Sequence, residues 1–552
     1  MLSGPEVARL NNEFQYAMSS YSNIASSLPH HETEKGYQVS FFNDVKALES
    51  TLNEMGNPFL EDSQDLFVID TKVVADKCTV EIMKKSESLG KEQFETFVKD
   101  RLVERKVPLD EPIKRNKLDF FTPTTQKKLS RVSKRLSSVK KDSSLFSRLY
   151  IACQTRQGDL DEFFKYENQA FPPSLSDQGT LRLPTRKSEL TESLEALTTS
   201  ELSMPKDVDV MVIDGAAAVN MIKPIVTHKT FSDYSHGCFI PYIEAQLAHV
   251  KRVDVVWDEY KDDSLKAMTR SKRGPGVRQK VEGKNKLPRN WKEFLRVNSN
   301  KQELFEYLAT CLSKVLSCKQ IITTYGEGIM SVHPCDKIDQ LQPCTQEEAD
   351  TRMLLHTYHA VQCGHKRILL RTVDTDVLVL SVASIPKLHE FDKSVEVWIG
   401  FGTGKHHRYI PAHGIANSLA PQVALALPAF HAFTGCDTVS MFFGKGKKTA
   451  LNTWNAFTDV TDAFTELSSH KPVIDGKLMA SLERFVVLLY DRSSTNATVD
   501  TARKHMFVHK GRQFDNIPPT RAALDQHVLR TAYQAGCVWG QSLVPAPSLP
   551  SP

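Results

Sequence analysis

The chain has 552 residues, 25% of them charged and 40% hydrophobic, and a formal net charge of +4. That length suits two or three domains, and the near-balanced charge singles out no class of partner. No apolar run nears the roughly 18 residues of a membrane span, the opening MLSGPEVARLNNEF lacks the apolar core of a signal peptide, and ten scattered cysteines without a C-x-x-C pair indicate neither a zinc ribbon nor a disulfide framework.

Residues 1–145 are expected to form a helical, partly disordered region, with helical patterns over Glu6–Tyr21 and Glu92–Val107. Lys127, Lys128, Arg131, Lys134 and Arg135 share one helical face, and Lys140 and Lys141 follow. Such a face suits nucleic-acid phosphates or nuclear import, and equally a solvated flank. Residues 146–205 turn to Pro, Ser, Thr and acid, the composition of a connector. A nuclear location is expected, or failing that a cytoplasmic one, where reduced thiols persist.

From 206 the character changes. VDVMVIDG (208–215) reads as a buried strand ending in Asp214, and VDVVWD (253–258) as another ending in Asp258. A helix near Gln302–Ser317 leads into the strand QIITTY, and strands alternating with helices predict an α/β fold with a mostly parallel sheet. In QEEADTRMLLHTYHAVQCGHKRILLRTVDTDVLVL (346–380), Glu347, Glu348 and Asp350 open a helix. Arg367–Val373 is a strand with Asp374 and Asp376 just beyond it. A helix running back along the strand returns its N-terminus to the strand's C-terminal edge, where open α/β sheets hold their sites. Two charges about 4 Å apart repel by roughly 4 kcal/mol at an effective dielectric near 20. Oxygen ligands make Mg²⁺ or Mn²⁺ the natural resolution. The residues alone leave a second reading equally open: Thr345-Gln-Glu-Glu348 fits a capping box, and Asp-Thr-Asp a solvated turn.

VEVWIGFGTGKHHRYI predicts a β-hairpin rather than a nucleotide loop, and His406, His407 and His413 lack helical ligand spacing. FHAFTGCDTVSMFFGKGKKTA carries Asp437 and a turn of Gly444, Lys445, Gly446, Lys447 and Lys448. That turn is not a Walker loop, but glycines and lysines at a helix N-terminus suit a phosphate. Residues 461–552 are expected as a helical C-terminal region ending in a disordered tail, VPAPSLPSP.

In this order the acids resemble the flap endonuclease/XPG branch of the PIN-like nucleases, over residues 206–460. VIDG is similar to the family's first-strand Asp motif (Asp214), and VVWD to its second (Asp258), with Lys266, Arg270 and Arg273 in a basic gateway helix. EEAD resembles its Glu-Ala-Glu motif (Glu348, Asp350), DTD its paired Asp (Asp374, Asp376), and TGCD its last acid (Asp437) before a helix-two-turn-helix at Gly444–Ala450. The resemblance implies a PIN-like core and seven acids holding Mg²⁺ or Mn²⁺, two ions in all. It further implies structure-selective, two-metal hydrolysis of phosphodiester bonds, in DNA with single-strand/duplex junctions. Lys266, Arg270 and Arg273 take the catalytic role of steadying charge on the phosphate. A PIN-type endoribonuclease and a catalytically inactive nucleic-acid-binding scaffold are the alternatives. Aspartate stands at 350 where the motif has glutamate, the G-x-G-P form is lacking, residues 274–298 make a short arch, and some two hundred residues precede the first strand. The terminal regions also resemble uncharacterised animal proteins of mobile-element origin.

Overall fold

A computed structural model of the chain describes residues 10, 13–14, 35–54, 65–68, 71–75, 77–112, 159–167, 169–184, 186–261, 266, 276–510, 512 and 514–549. Arg270, Arg273, the basic face from Lys127 to Lys141 and most of Glu6–Tyr21 lie outside the described residues. The chain forms two compact units.

One unit comprises 1–126, 225–234 and 275–303. Its helices Lys35–Glu54 and Lys77–Phe97 accompany a strand, Val73–Val74, paired antiparallel to Arg278–Gln279. Phe231 and Phe294 are buried with ring centroids 5.7 Å apart, and Arg278 pairs with Glu303.

The other unit comprises 127–224, 235–274 and 304–552 and is built on one sheet. Its strands are β1 (Val210–Asp214), β2 (Arg252–Val256), β3 (Gln320–Tyr325), β4 (Gly328–Ser331), β5 (Arg367–Thr372), β6 (Glu396–Phe401) and β7 (Arg408–Pro411). They lie in the order β7-β6-β5-β1-β2-β3-β4. The five inner strands are mutually parallel, and β7 and β4 are antiparallel edges. The helices used below are α1 (Ser188–Glu195), α2 (Ala349–Gln362), α3 (Thr375–His389), α4 (Pro421–Phe433) and α5 (Lys447–Ala456). The fold class is therefore α/β, a mostly parallel sheet flanked by helices.

The reason lies in the strands. β1 is VMVID with every residue buried, the near-continuous apolar run of a strand covered on both faces. In β2, Arg252 and Asp254 are buried too, at 2% and 0% exposure. They form a bidentate pair at 2.5 and 2.6 Å, and His356 of α2 closes on Asp254 at 2.7 Å. A buried charge is tolerated only when so paired. Strand order reverses beside β1: β2 and β3 extend to one side and β5 and β6 to the other. The crevice at the carboxyl ends of β1 and β5 is the switch point at which open α/β sheets bind ligands.

Two stretches differ from expectation. Residues 159–206, connector-like in composition, contain α1, and Phe164, Leu190 and Leu194 are in the core. Leu190 and Leu194, one turn apart, outweigh the polar residues between them. The tail is hydrogen-bonded rather than loose as far as it is described. The Thr345 N–H donates to the Pro545 carbonyl, and the Gln346 amide donates to the Ser542 and Val544 carbonyls.

Candidate metal centre

Asp214 closes β1, Asp258 lies two residues past β2, and Asp374 two past β5, so parallel pairing brings all three to one edge. α2 brings Glu348 and Asp350, α3 brings Asp376, and the loop after α4 brings Asp437. Asp214, Asp258, Glu348, Asp350, Asp374 and Asp437 line one cavity of about 130 Å³ with Glu259, Tyr260, Lys266 and Glu347. That is room for a few water molecules. Asp376 lies behind it, 1% exposed. Among the described residues, oxygens of Asp350, Asp374 and Asp376 lie within 4.8 Å of one another.

The local backbone decides between the readings of Thr345–Glu348. Glu348 is the residue before the first turn of α2, and its side chain makes no capping bond. Asp258 takes that part, accepting from the Ala349 N–H at 2.9 Å. Glu348 Oε2 is buried and has no hydrogen-bond partner among the described residues. Asp374 does cap α3, accepting from the Asp376 N–H at 3.0 Å, yet the pair is not a solvated turn. Arg352, fully buried, donates to the carbonyls of Gly326, Cys344 and Gln346 and to Glu259, fixing the loop that enters α2. Gly215 is required by close approach: a Cβ there would lie 2.2 Å from Trp257 Cε3.

Crowding shows in the proton affinities. Burial, then Asp258 and Asp374, push Asp214 up to about 7. Burial and Asp376 push Asp374 to about 7, and burial and Asp374 carry Asp350 well above the carboxylate range. Burial also raises Glu348, against the pull of Lys266. Asp376 goes the other way: Lys187, His431 and Lys266 outweigh its burial and hold it well below. Burial first, and neighbouring carboxylates second, thus disfavour the ionised form of four of these acids. With an unpartnered buried Glu348 oxygen and all-oxygen donors, the array fits a hard divalent cation.

Two lysines enter the array. Lys266 Nζ is 3.1 Å from Glu348 and 3.8 Å from Asp350. Lys187, just before α1, is 2.6 Å from Asp437 and 3.4 Å from Asp376. His431 Nε2 holds the other Asp376 oxygen at 2.8 Å. Burial, then Lys447, keep this imidazole neutral with its pKa down to about 4, so Nε2 carries the proton it donates. Neither Lys187 nor His431 is signalled by a motif. The first sits in a connector-like stretch, the second in the apolar run VALALPAFHAF.

The glycine-lysine turn is placed differently from expectation. Lys447 is buried in the core, where its ammonium donates to the His431 carbonyl and the Thr434 hydroxyl. Burial pulls its pKa down to about 7. It cannot meet a phosphate without abandoning both acceptors. Lys445 is half-buried over the Tyr490 ring at 4.9 Å, and Glu189 packs against Gly446, 2.8 Å from where a Cβ would stand. Gly444 and Lys448 are exposed. β6 and β7 form the expected hairpin. His407 bonds Arg371 and His413 the Val397 carbonyl.

A family model described as a domain of unknown function, DUF8702, matches residues 1–167. No curated protein matches the chain. Among solved structures, the chain is similar to a bacteriophage T5 protein co-crystallised with metal ions, at 13% identity and a TM-score of 0.28, covering 58% of this chain and 98% of that one. It is also similar to the catalytic core of Rad2 in complex with a DNA substrate, at 12% identity and 0.29, covering 63% and 99%. A third similar structure is the bacteriophage T5 flap endonuclease with DNA and metal ions, at 15% and 0.27, covering 59% and 100%. At these values the likeness assigns no activity to this chain.

Proposed function

We propose that this chain is a divalent-metal-dependent nuclease that hydrolyses phosphodiester bonds in DNA at single-strand/duplex junctions. The observation that carries the reading is the placement of Asp350, Asp374 and Asp376 within 4.8 Å of one another at the strand-order reversal, beside an open cavity. Cations bound among these carboxylates supply Lewis acidity toward a phosphoryl oxygen. The chain's own residues do the rest. Asp258 and Asp374 fix the starts of α2 and α3, so the acids on those helices hold position as a backbone approaches. Lys266, at the cavity wall beside Glu348 and Asp350, would offer its ammonium to a phosphate oxygen. Arg352 and its carbonyls keep the loop before Glu348 rigid.

The test is cleavage of matched labelled flap, bubble and hairpin substrates, in DNA and in RNA, with Mg²⁺, Mn²⁺ or chelator. Cleavage of junction DNA that needs metal and is lost in Asp350→Asn supports the proposal. Cleavage confined to RNA moves the reading to an endoribonuclease. Metal-independent binding without cleavage of any substrate moves it to a scaffold.

A further inference from the structure

Asp350, Asp374 and Asp437 all face the cavity, but the space between Asp437 and the buried Asp376 is spanned by the Lys187 side chain. Both Asp376 oxygens already have donors there, His431 on one and Lys187 within reach of both.

The spacing there suits an ammonium. Lys187 Nζ stands 2.6 Å from one carboxylate and 3.4 Å from the other, whereas Mg²⁺ demands about 2.1 Å to each oxygen and keeps several of its waters. With Asp376 1% exposed, there is no space for a hydrated ion beside it unless the lysine leaves.

The lysine is also held. α1 buries Leu190 and Leu194 in the core, and the Thr191 and Thr375 hydroxyls bond at 3.1 Å. Arg408 grips Glu195 at 2.5 and 2.7 Å at the far end of α1. Anchored from below and at its end, α1 delivers the ammonium to one place, and being covalently tethered it is not exchanged by dilution. Lys187 makes no side-chain capping bond to α1.

We propose that Lys187 is a built-in cation filling the place of a second divalent ion, so that the centre takes one ion, against Asp350 and Asp374 with Asp376 behind. The inference rests on the metal-centre reading above and changes its stoichiometry from the two ions that the sequence resemblance implies.

Mn²⁺ binding to the full chain, measured by calorimetry and by electron paramagnetic resonance, tests it without any turnover. Wild type should bind one Mn²⁺, Lys187→Met, which keeps the stem and loses the charge, should bind two, and Lys187→Arg should restore one. Two ions in wild type overturn the inference while leaving the metal centre standing, and this measurement decides even where Lys187→Met fails to fold. One ion in both wild type and Lys187→Met also overturns it. No Mn²⁺ bound to wild type overturns the metal centre itself and the inference with it.

Discussion

Replacing Asp350 with Asn keeps the shape of the side chain and removes one charge from the most crowded part of the array. Oxygens of Asp350, Asp374 and Asp376 lie within 4.8 Å of one another, and at that separation each ionised pair repels by about 3.5 kcal/mol at an effective dielectric near 20. Lys266, at 3.8 Å, returns about 4 kcal/mol on the same scale. These two repulsions against one attraction leave ionised Asp350 opposed by about 3 kcal/mol, with the Glu348 charge and desolvation still to add. The carboxyl therefore titrates well above its ordinary value, and the sign of the pH effect follows. A raised folded-state pKa contributes stability that is complete below the unfolded value, near 4, and is lost as pH climbs through the folded one. Asn carries no such loss. Urea melts in chelator should show Asp350→Asn within about 1 kcal/mol of wild type at pH 4.5 and more stable by about 3 kcal/mol at pH 8. Mn²⁺ at a hundredfold over its dissociation constant should stabilise wild type by about 2.7 kcal/mol at pH 8, and the variant by far less. A variant equally destabilised at both pH values, with an undiminished Mn²⁺ shift, would refute the reasoning.

Two further outcomes follow from the geometry. Gly215→Ala sets a methyl 2.2 Å from the Trp257 ring and should cost about 1–3 kcal/mol in a urea melt, reducing metal uptake because Asp214 moves with its backbone; a neutral substitution would mean the ring shifts freely. Lys448→Glu should flatten the salt dependence of DNA binding by roughly one unit of slope, whereas Lys447→Met should leave that slope unchanged, since only the first lysine is exposed.

What could be read from the chain was set by periodicity and by chain order. Short apolar, β-branched runs such as VMVID and the ILL of RILLRT read as buried strands, and an Asp at or just past the end of parallel strands collects at one edge. The acids of 348–376 were therefore legible together. Lys187 was not, because its partner Asp376 lies 189 residues away and composition described its surroundings as a linker. The Leu190–Leu194 spacing was the available signal, and it was outvoted by prolines and serines. Lys447 shows the opposite failure: a lysine beside glycines reads as exposed, and only the packing of α5 against the core puts its ammonium under Thr434. The capping box failed because α2 starts after Glu348 rather than Thr345, and the Thr345 N–H that the box would give to Glu348 goes to the remote Pro545 carbonyl.

The hold of the tail on the loop before α2 has a consequence in time. Gln346 is fastened to Val544 and Ser542, the latter 196 residues further on. A ribosome adding about 5–20 residues per second needs roughly 10–40 s to make that stretch. Throughout that interval the nascent loop has its acids but not its fastening. The loop that presents Glu348 and Asp350 therefore gains this restraint long after its own residues are made.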